Sequence, residues 1–522
     1  MRRLFAILLI PFALSFAQNL KIPKEALVGY QAISASDLRA HLSFIASPEL
    51  EGRETTFRGQ KVAARYIASE FQRIGLKPLG DSGTYFQHFE VEATKMNDNS
   101  TITVITRQGQ NSFHLRKDFV AFSALGDPLS APAIFIGYSD AKVDSNLTKG
   151  KIVVALSGRR VDTKDTSIAP RRRPISAPPF TGSIATLLVA DDTGSNSIEG
   201  VLARFGSSID NITMRILGAE PRRGRAGFRF PTLIGSRLAN ELLKETGKSL
   251  SQMRLAALQD SAFQPISLNQ TTISIEITNT REIKTTENVL GLLEGSDPKL
   301  KDEIVAFTAH YDHLGITGGL VNPGADDDGS GTVTVIELAQ AFASNPVKPK
   351  RSLLFMTVVG EEKGLLGSEW YVTHPVIPLE KTIADLNTDM IGRVNPIYEE
   401  LKNPNYVYVI GSDKISTQLD SVLKLSNQQS ENLILDYKYN DDQDPNRFYT
   451  RSDHYNFAKN GVPIVFFFTG VHADYHRPTD TIDKILFPRM ERIVHLIYTT
   501  GWHVANAKTG LAKDVQSSMF SK

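Results

Sequence analysis

Cysteine is absent from this sequence. That removes disulfides, thiolate metal ligands and a cysteine nucleophile together, so any metal here must be held by nitrogen and oxygen. An excess of either charge is missing too: 58 Lys and Arg stand against 57 Asp and Glu, a formal net charge of +1. With no overall field to attract them, nucleic acid and anionic membranes are not expected partners, and small mixed substrates fit better. No apolar stretch reaches the roughly 20 residues a spanning helix needs, so no membrane span is expected. Gly-x-Ser-x-Gly, a Gly-rich nucleotide loop and His-Glu-x-x-His are not found, nor is an internal repeat; this excludes the chemistries those motifs carry.

The beginning of the chain reads Met1-Arg2-Arg3, then an apolar run from Leu4 to Leu14, then Ser15-Phe16-Ala17. This is the charged, apolar, small-x-small order of a secretory leader cleaved after Ala17, and a secreted or periplasmic protein is expected. With no Cys at the cleavage site, lipid attachment there is excluded.

At 522 residues, with 41% hydrophobic and 22% charged, the chain has the composition of a globular protein and the length of more than one domain. Ser36 can cap a helix carrying Leu38, Leu42 and Ile45, with Pro48 beyond its end. A second helix begins near Gly59, keeps helical spacing through Val62, Tyr66, Ile67, Phe71 and Ile74, and stops at Gly75 and Pro78. From about Thr101 to Ile277 the texture is of short β-type runs, such as Ile152-Val153-Val154-Ala155, separated by Gly, Ser, Asp and Pro. This part holds two Arg-dense loops, 159–173 and 215–229, whose plainest reading is solvated surface. Beyond Thr286, buried strands at 304–308, 352–359, 382–386 and 463–468 alternate with helices, notably 331–343. The fold class expected is α/β, a mixed, mostly parallel sheet flanked by helices, with a small β-rich insert.

Each of those strands ends in side chains able to hold a metal: His310 and Asp312, Glu361 and Glu362, Asp389, then His472 and His476. Ligands of open parallel sheets bind beyond the carboxyl ends of the strands, so these residues should converge. A fifth element, Gly324-Ala325-Asp326-Asp327-Asp328-Gly329-Ser330-Gly331, sets three carboxylates just before a helix. Clustered carboxylates repel unless cations compensate. Asp327, Glu362 and Asp389 with two neutral imidazoles invite zinc, and two Zn²⁺ balance three carboxylates and one bridging hydroxide. Such a pair activates water and polarises a carbonyl, as amide hydrolysis requires. Of the adjacent glutamates one suffices as ligand, which leaves Glu361 as general base; Asp312, two residues past His310, is placed to hold that imidazole in its metal-binding tautomer.

The strings Ala309-His310-Tyr311-Asp312-His313-Leu314-Gly315, Pro323 to Gly331, Glu361-Glu362-Lys363-Gly364-Leu365-Leu366-Gly367-Ser368, Asn387-Thr388-Asp389-Met390 and Tyr475-His476-Arg477-Pro478-Thr479-Asp480-Thr481 resemble the co-catalytic zinc exopeptidases of the bacterial leucyl aminopeptidase and glutamate carboxypeptidase type. The resemblance implies that Asp327 bridges two zinc ions, that His310 and Asp389 complete one position and Glu362 and His476 the other, and that Glu361 shuttles the proton. It implies peptide substrates, most simply an aminopeptidase, and makes Tyr475 similar to a tyrosine aimed at the developing oxyanion. His313, His454 and His472 match no ligand position. The stretch around Gly150-Lys151-Ile152-Val153-Val154 looks like a protease-associated domain. The expected organisation is a leader at 1–17, a first peptidase part at 18–125, that insert at 126–265, the main peptidase part at 266–510 and a tail at 511–522. A single-zinc acyltransferase of the glutaminyl cyclase type and a carboxypeptidase of the same family are the alternatives; five ligand positions favour hydrolysis.

Overall fold

A computed structural model describes residues 22–124, 127–158, 180–210, 212–220, 231–259 and 263–515. The leader at 1–17, the Arg-dense loop 159–173, positions 221–229 of the second such loop and the end of the tail from 516 lie outside the described residues. Two compact units are formed, one by the chain up to Phe89 together with the chain from Thr285 onward, the other by Glu90–Lys284.

The first unit is built on strands β1 (Asn279–Leu293), β2 (Ile304–His310), β3 (Ser352–Val358), β4 (Thr382–Thr388), β5 (Tyr406–Ile410), β6 (Ile434–Asp436) and β7 (Ile464–Phe468). They lie in the order β6-β5-β7-β4-β2-β3-β1. The neighbours β3, β2, β4 and β7 are parallel, whereas β1 joins β3 and β5 joins β7 antiparallel. The mixed, mostly parallel sheet expected from the sequence is thus observed. Every residue of β2, β3, β5 and β7 is buried, which is why these strands read as unbroken apolar runs rather than alternating ones.

Helices α1 (Ala35–Ile45), α2 (Arg58–Ile74), α3 (Gly331–Ser344) and α4 (Phe487–Asn506) complete this unit. The α3 helix is buried on almost every side, because it packs on β2 and β3 while α1 and α2 cover it. The cap of α1 is Ser34 rather than Ser36. Its hydroxyl accepts the Asp37 N–H at 3.1 Å, three residues on, where an N-cap oxygen reaches. The α2 helix ends on Gly75 as its spacing predicts.

The second unit holds an eight-stranded sheet in which Leu129–Tyr138, Ile152–Leu156, Ala185–Val189 and Thr232–Ile234 run parallel. It carries more helix than its texture suggests, at Ile198–Asp210, Ser236–Leu243 and Leu250–Gln259. In the last two, Leu238, Leu242, Leu243 and Met253 join its core. Arg215, from the second Arg-dense stretch, is in strand Thr213–Ile216 and pairs with Glu92 at 3.0 Å. Among the described residues no helix is long and apolar enough to cross a membrane.

Candidate metal centre

The parallel strands deliver their polar ends to one edge of the sheet. His310 is the last residue of β2, Glu361 and Glu362 follow β3, Asp389 follows β4, and the loop after β7 carries His476. The turn before α3 supplies Asp327. All five residues expected as ligands are brought together. His310 Nε2 is 3.4 Å from Asp327 Oδ1 and 3.7 Å from Asp389 Oδ1. His476 Nε2 is 3.1 Å from Asp327 Oδ2 and 3.4 Å from Glu362 Oε2. Asp327 therefore faces two groups of donors.

Whether these residues fit a metal can be judged from their unmet bonds. His310 Nε2, Asp327 Oδ2, Glu362 Oε1 and Asp389 Oδ1 are buried and hydrogen-bond to nothing, a cost of about 1–3 kcal/mol each unless another partner is supplied. Zinc–ligand bonds of about 2.0–2.2 Å in tetrahedral geometry put the donors roughly 3.3–3.6 Å apart, close to the separations seen. Nitrogen and carboxylate donors at this spacing suit zinc. The groups also compensate one another. Burial opposes a charge on His476, yet Asp327 and Glu362 outweigh it and push this imidazole up to about 10. Burial and Asp327 would raise Glu362, but His313 and His476 bring it down to about 2. Glu361 is driven the other way, well above the usual carboxylate range, by burial, which His310 opposes and which Glu362 and Asp389 reinforce.

The ligand loops are tied together by acids that do not face the centre. Asp328 accepts from the backbone N–H of His310 (3.2 Å), Gly331 (2.8 Å) and Met390 (3.2 Å), joining three of the converging segments. Gly331 has to be glycine, since a Cβ there would lie 2.4 Å from the Asp328 carboxylate and from the Thr388 carbonyl. Asp480 accepts from the N–H of Asp326 and Asp327. His472 faces Asp326 at 3.2 Å instead of the centre, and His454 is spent on the Tyr449 carbonyl at 2.9 Å. His476 itself sits at φ 57°, a left-handed conformation rare for non-glycine residues and common at functional sites.

Arg53 is fully buried and gives its guanidinium to the carbonyls of Ile45, Tyr311, Pro323 and Gly324 at 2.6–3.0 Å. Burial lowers it to about 10, against the pull of Asp312, Asp327, Asp328 and Asp480, so it stays charged at neutral pH. One side chain thus holds the two loops carrying His310 and Asp327 and offsets their carboxylates. Arg53→Met is expected to lower stability by about 3–5 kcal/mol, since it strands buried acceptors and removes a compensating charge. Urea unfolding measures this, and a loss under about 1 kcal/mol would refute it.

Asp312 acts differently from the sequence reading. The His310 Nδ1 lies 3.1 Å from the Asp312 carbonyl but 3.8 Å from its carboxylate, so the backbone, not the side chain, fixes the tautomer that leaves Nε2 free. The turn leaving β2 brings the carbonyl closer. The carboxylate accepts instead from Thr55 at 2.7 Å and from the backbone N–H of Glu361 at 3.2 Å, holding the loop that presents Glu361. Tyr475 stacks on His476 with ring centroids 3.8 Å apart, and its hydroxyl accepts from Arg451 at 3.2 Å. A cleft opens here, where Glu361, Asp327, Asp389 and Tyr475 meet an apolar wall of Met390, Phe448, Phe466, Phe468 and Val471, with Arg451 on its rim.

Sequence reading passes over His313. Its imidazole is fully buried and forms, with Asp327 and Glu362, a second group whose donor atoms all lie within 4.8 Å, beside that of His310, Asp327 and Asp389. The spacing His310-x-x-His313 is the signal that could have found it.

Residues 288–500 match the model of Peptidase family M28. The chain is 27% identical over 306 residues to aminopeptidase YwaD of Bacillus subtilis, covering 56% of this chain and 57% of that one. It is 33% identical over 204 residues to a probable leucine aminopeptidase 2 of Aspergillus oryzae, covering 38% of this chain and 37% of that one. The matches thus span between about a third and somewhat over half of these relatives' lengths. A solved aminopeptidase from Aneurinibacillus sp. strain AM-1 shares the fold, with a TM-score of 0.52 at 18% identity over 94% of this chain and 98% of that one.

Proposed function

We propose, from the match of residues 288–500 to the model of Peptidase family M28, that this chain is a zinc-dependent exopeptidase of that family releasing amino-terminal residues from peptides. The observation that carries this reading is the set of buried, unpartnered donor atoms facing one another across Asp327. His310, Asp327 and Asp389 would hold one zinc, and Asp327, Glu362 and His476 a second. When bound, zinc supplies Lewis acidity for water and for the scissile carbonyl.

The remaining work falls to the chain's own residues. Glu361 lines the cleft beside Asp327 and Asp389 and would take a proton from the attacking water and return it to the leaving amine. Asp312 holds Glu361 through its backbone N–H. The Tyr475 hydroxyl, accepting from Arg451, keeps its own proton to donate towards the oxygen on which charge develops. The apolar wall would receive the side chain of the terminal residue and exclude water from it. Within this proposal the chain is exported, on the leader pattern of residues 1–17, and residues 126–265, inside the unit Glu90–Lys284, act as a protease-associated insert.

The test is a screen of amino-acid p-nitroanilides against N-blocked dipeptides, with zinc measured in parallel. Hydrolysis of unblocked amides with apolar first residues, by zinc-loaded protein only, is expected. Cleavage confined to N-blocked dipeptides would turn the reading into a carboxypeptidase, and no hydrolysis of either by loaded protein would end it.

A further inference from the structure

The second donor group holds an imidazole that the five-ligand reading leaves without a task. His313 Nδ1 lies 2.8 Å from Glu362 Oε1 and 3.8 Å from Asp327 Oδ2. At 2.8 Å an imidazole and a carboxylate normally share a hydrogen bond. Here neither His313 Nδ1 nor Glu362 Oε1 makes one of hydrogen-bond geometry, although the imidazole helps hold the Glu362 carboxyl down. His313 Nε2 is also unpartnered. A wholly buried imidazole with both nitrogens unmet is rare in a folded protein and calls for an absent partner.

The surroundings hold this ring in place. The backbone N–H of His313 donates to the Arg53 carbonyl at 3.3 Å. Its ring lies over Gly324, where a Cβ would come within 2.5 Å of it and where φ is +55°, so glycine makes the space the imidazole fills. The His476 ring stands edge-on to it, with centroids 5.9 Å apart. His313 is therefore placed by packing.

We infer that His313 is a metal ligand, its Nδ1 completing the position formed by Asp327, Glu362 and His476. This rests on the proposed zinc centre and extends it. That position then has two imidazoles and two carboxylates, and the other has one imidazole and two carboxylates. The two are chemically unequal. The imidazole-rich one should bind first, hold zinc more tightly, and discriminate more strongly against oxygen-preferring Mg²⁺ and Mn²⁺.

Zinc content and zinc affinity, the latter by chelator competition, would be measured for the wild type and for His313→Asn. The variant is expected to keep the zinc at His310 and Asp389 and to bind the other at least about tenfold more weakly. Should the variant fold poorly, X-ray absorption at the zinc edge on the fully loaded wild type gives an independent reading: three imidazoles shared by two zinc ions are expected. Two imidazoles per two zinc ions, or unchanged affinities in His313→Asn, would overturn the inference. The exopeptidase reading fails separately, through a zinc-loaded wild type that hydrolyses nothing, and that outcome leaves the ligand count readable.

Discussion

Glu361→Gln is expected to lower kcat by roughly a hundredfold to ten-thousandfold while leaving the zinc content of the protein unchanged. The substitution preserves the size of the side chain, and the backbone N–H that donates to Asp312 at 3.2 Å is untouched, so the loop after β3 keeps its course. What is lost is a carboxylate able to accept a proton. Glu361 is not among the donor groups of either cluster, and this separates it from its neighbour Glu362. Steady-state kinetics with metal analysis on the same samples decides the matter. A variant with near-normal turnover removes Glu361 as the base, and one that loses zinc makes it a ligand instead.

Asp327→Ala should have the opposite signature. Asp327 is the one residue common to both donor groups, with Oδ1 facing His310 and Oδ2 facing His476. Its removal is expected to weaken zinc at both positions by about a hundredfold or more and to abolish activity with it. Asp389→Ala strikes one position alone and should leave the other zinc in place. Metal analysis after dialysis against a weak chelator distinguishes them. Retention of both zinc ions by Asp327→Ala would mean that the centre is not built around this carboxylate.

Much of this site is legible in the amino-acid sequence. The run Ala325-Asp326-Asp327-Asp328-Gly329 ahead of a helix, and histidines and acids just past buried strands, are local patterns. A parallel sheet with both faces covered leaves its strand ends little freedom. Hence His310, Asp327, Glu362, Asp389 and His476 meet as expected. Other features are not local. That Asp312 offers its carbonyl to His310 and its carboxylate to the Glu361 loop depends on how one turn leaves β2. That Arg53 is a clamp depends on four carbonyls drawn from three separate segments. The helices of the second unit are hidden among Gly and Ser; Ile198–Asp210 keeps Ile198, Val201 and Ile209 buried, a helical spacing obscured by the turn-like residues between them.

The sequence by itself determined the class of sheet, the nitrogen-and-oxygen character of any metal site and the convergence of five side chains beyond the strand ends, because strand period, buried runs and the missing cysteine are properties of neighbouring residues. Only the tertiary structure decided which acids face the centre and which hold its loops, and that His313 turns inward over Gly324. Those outcomes depend on which groups remain unpaired once distant segments have packed, and no single stretch of chain contains that information.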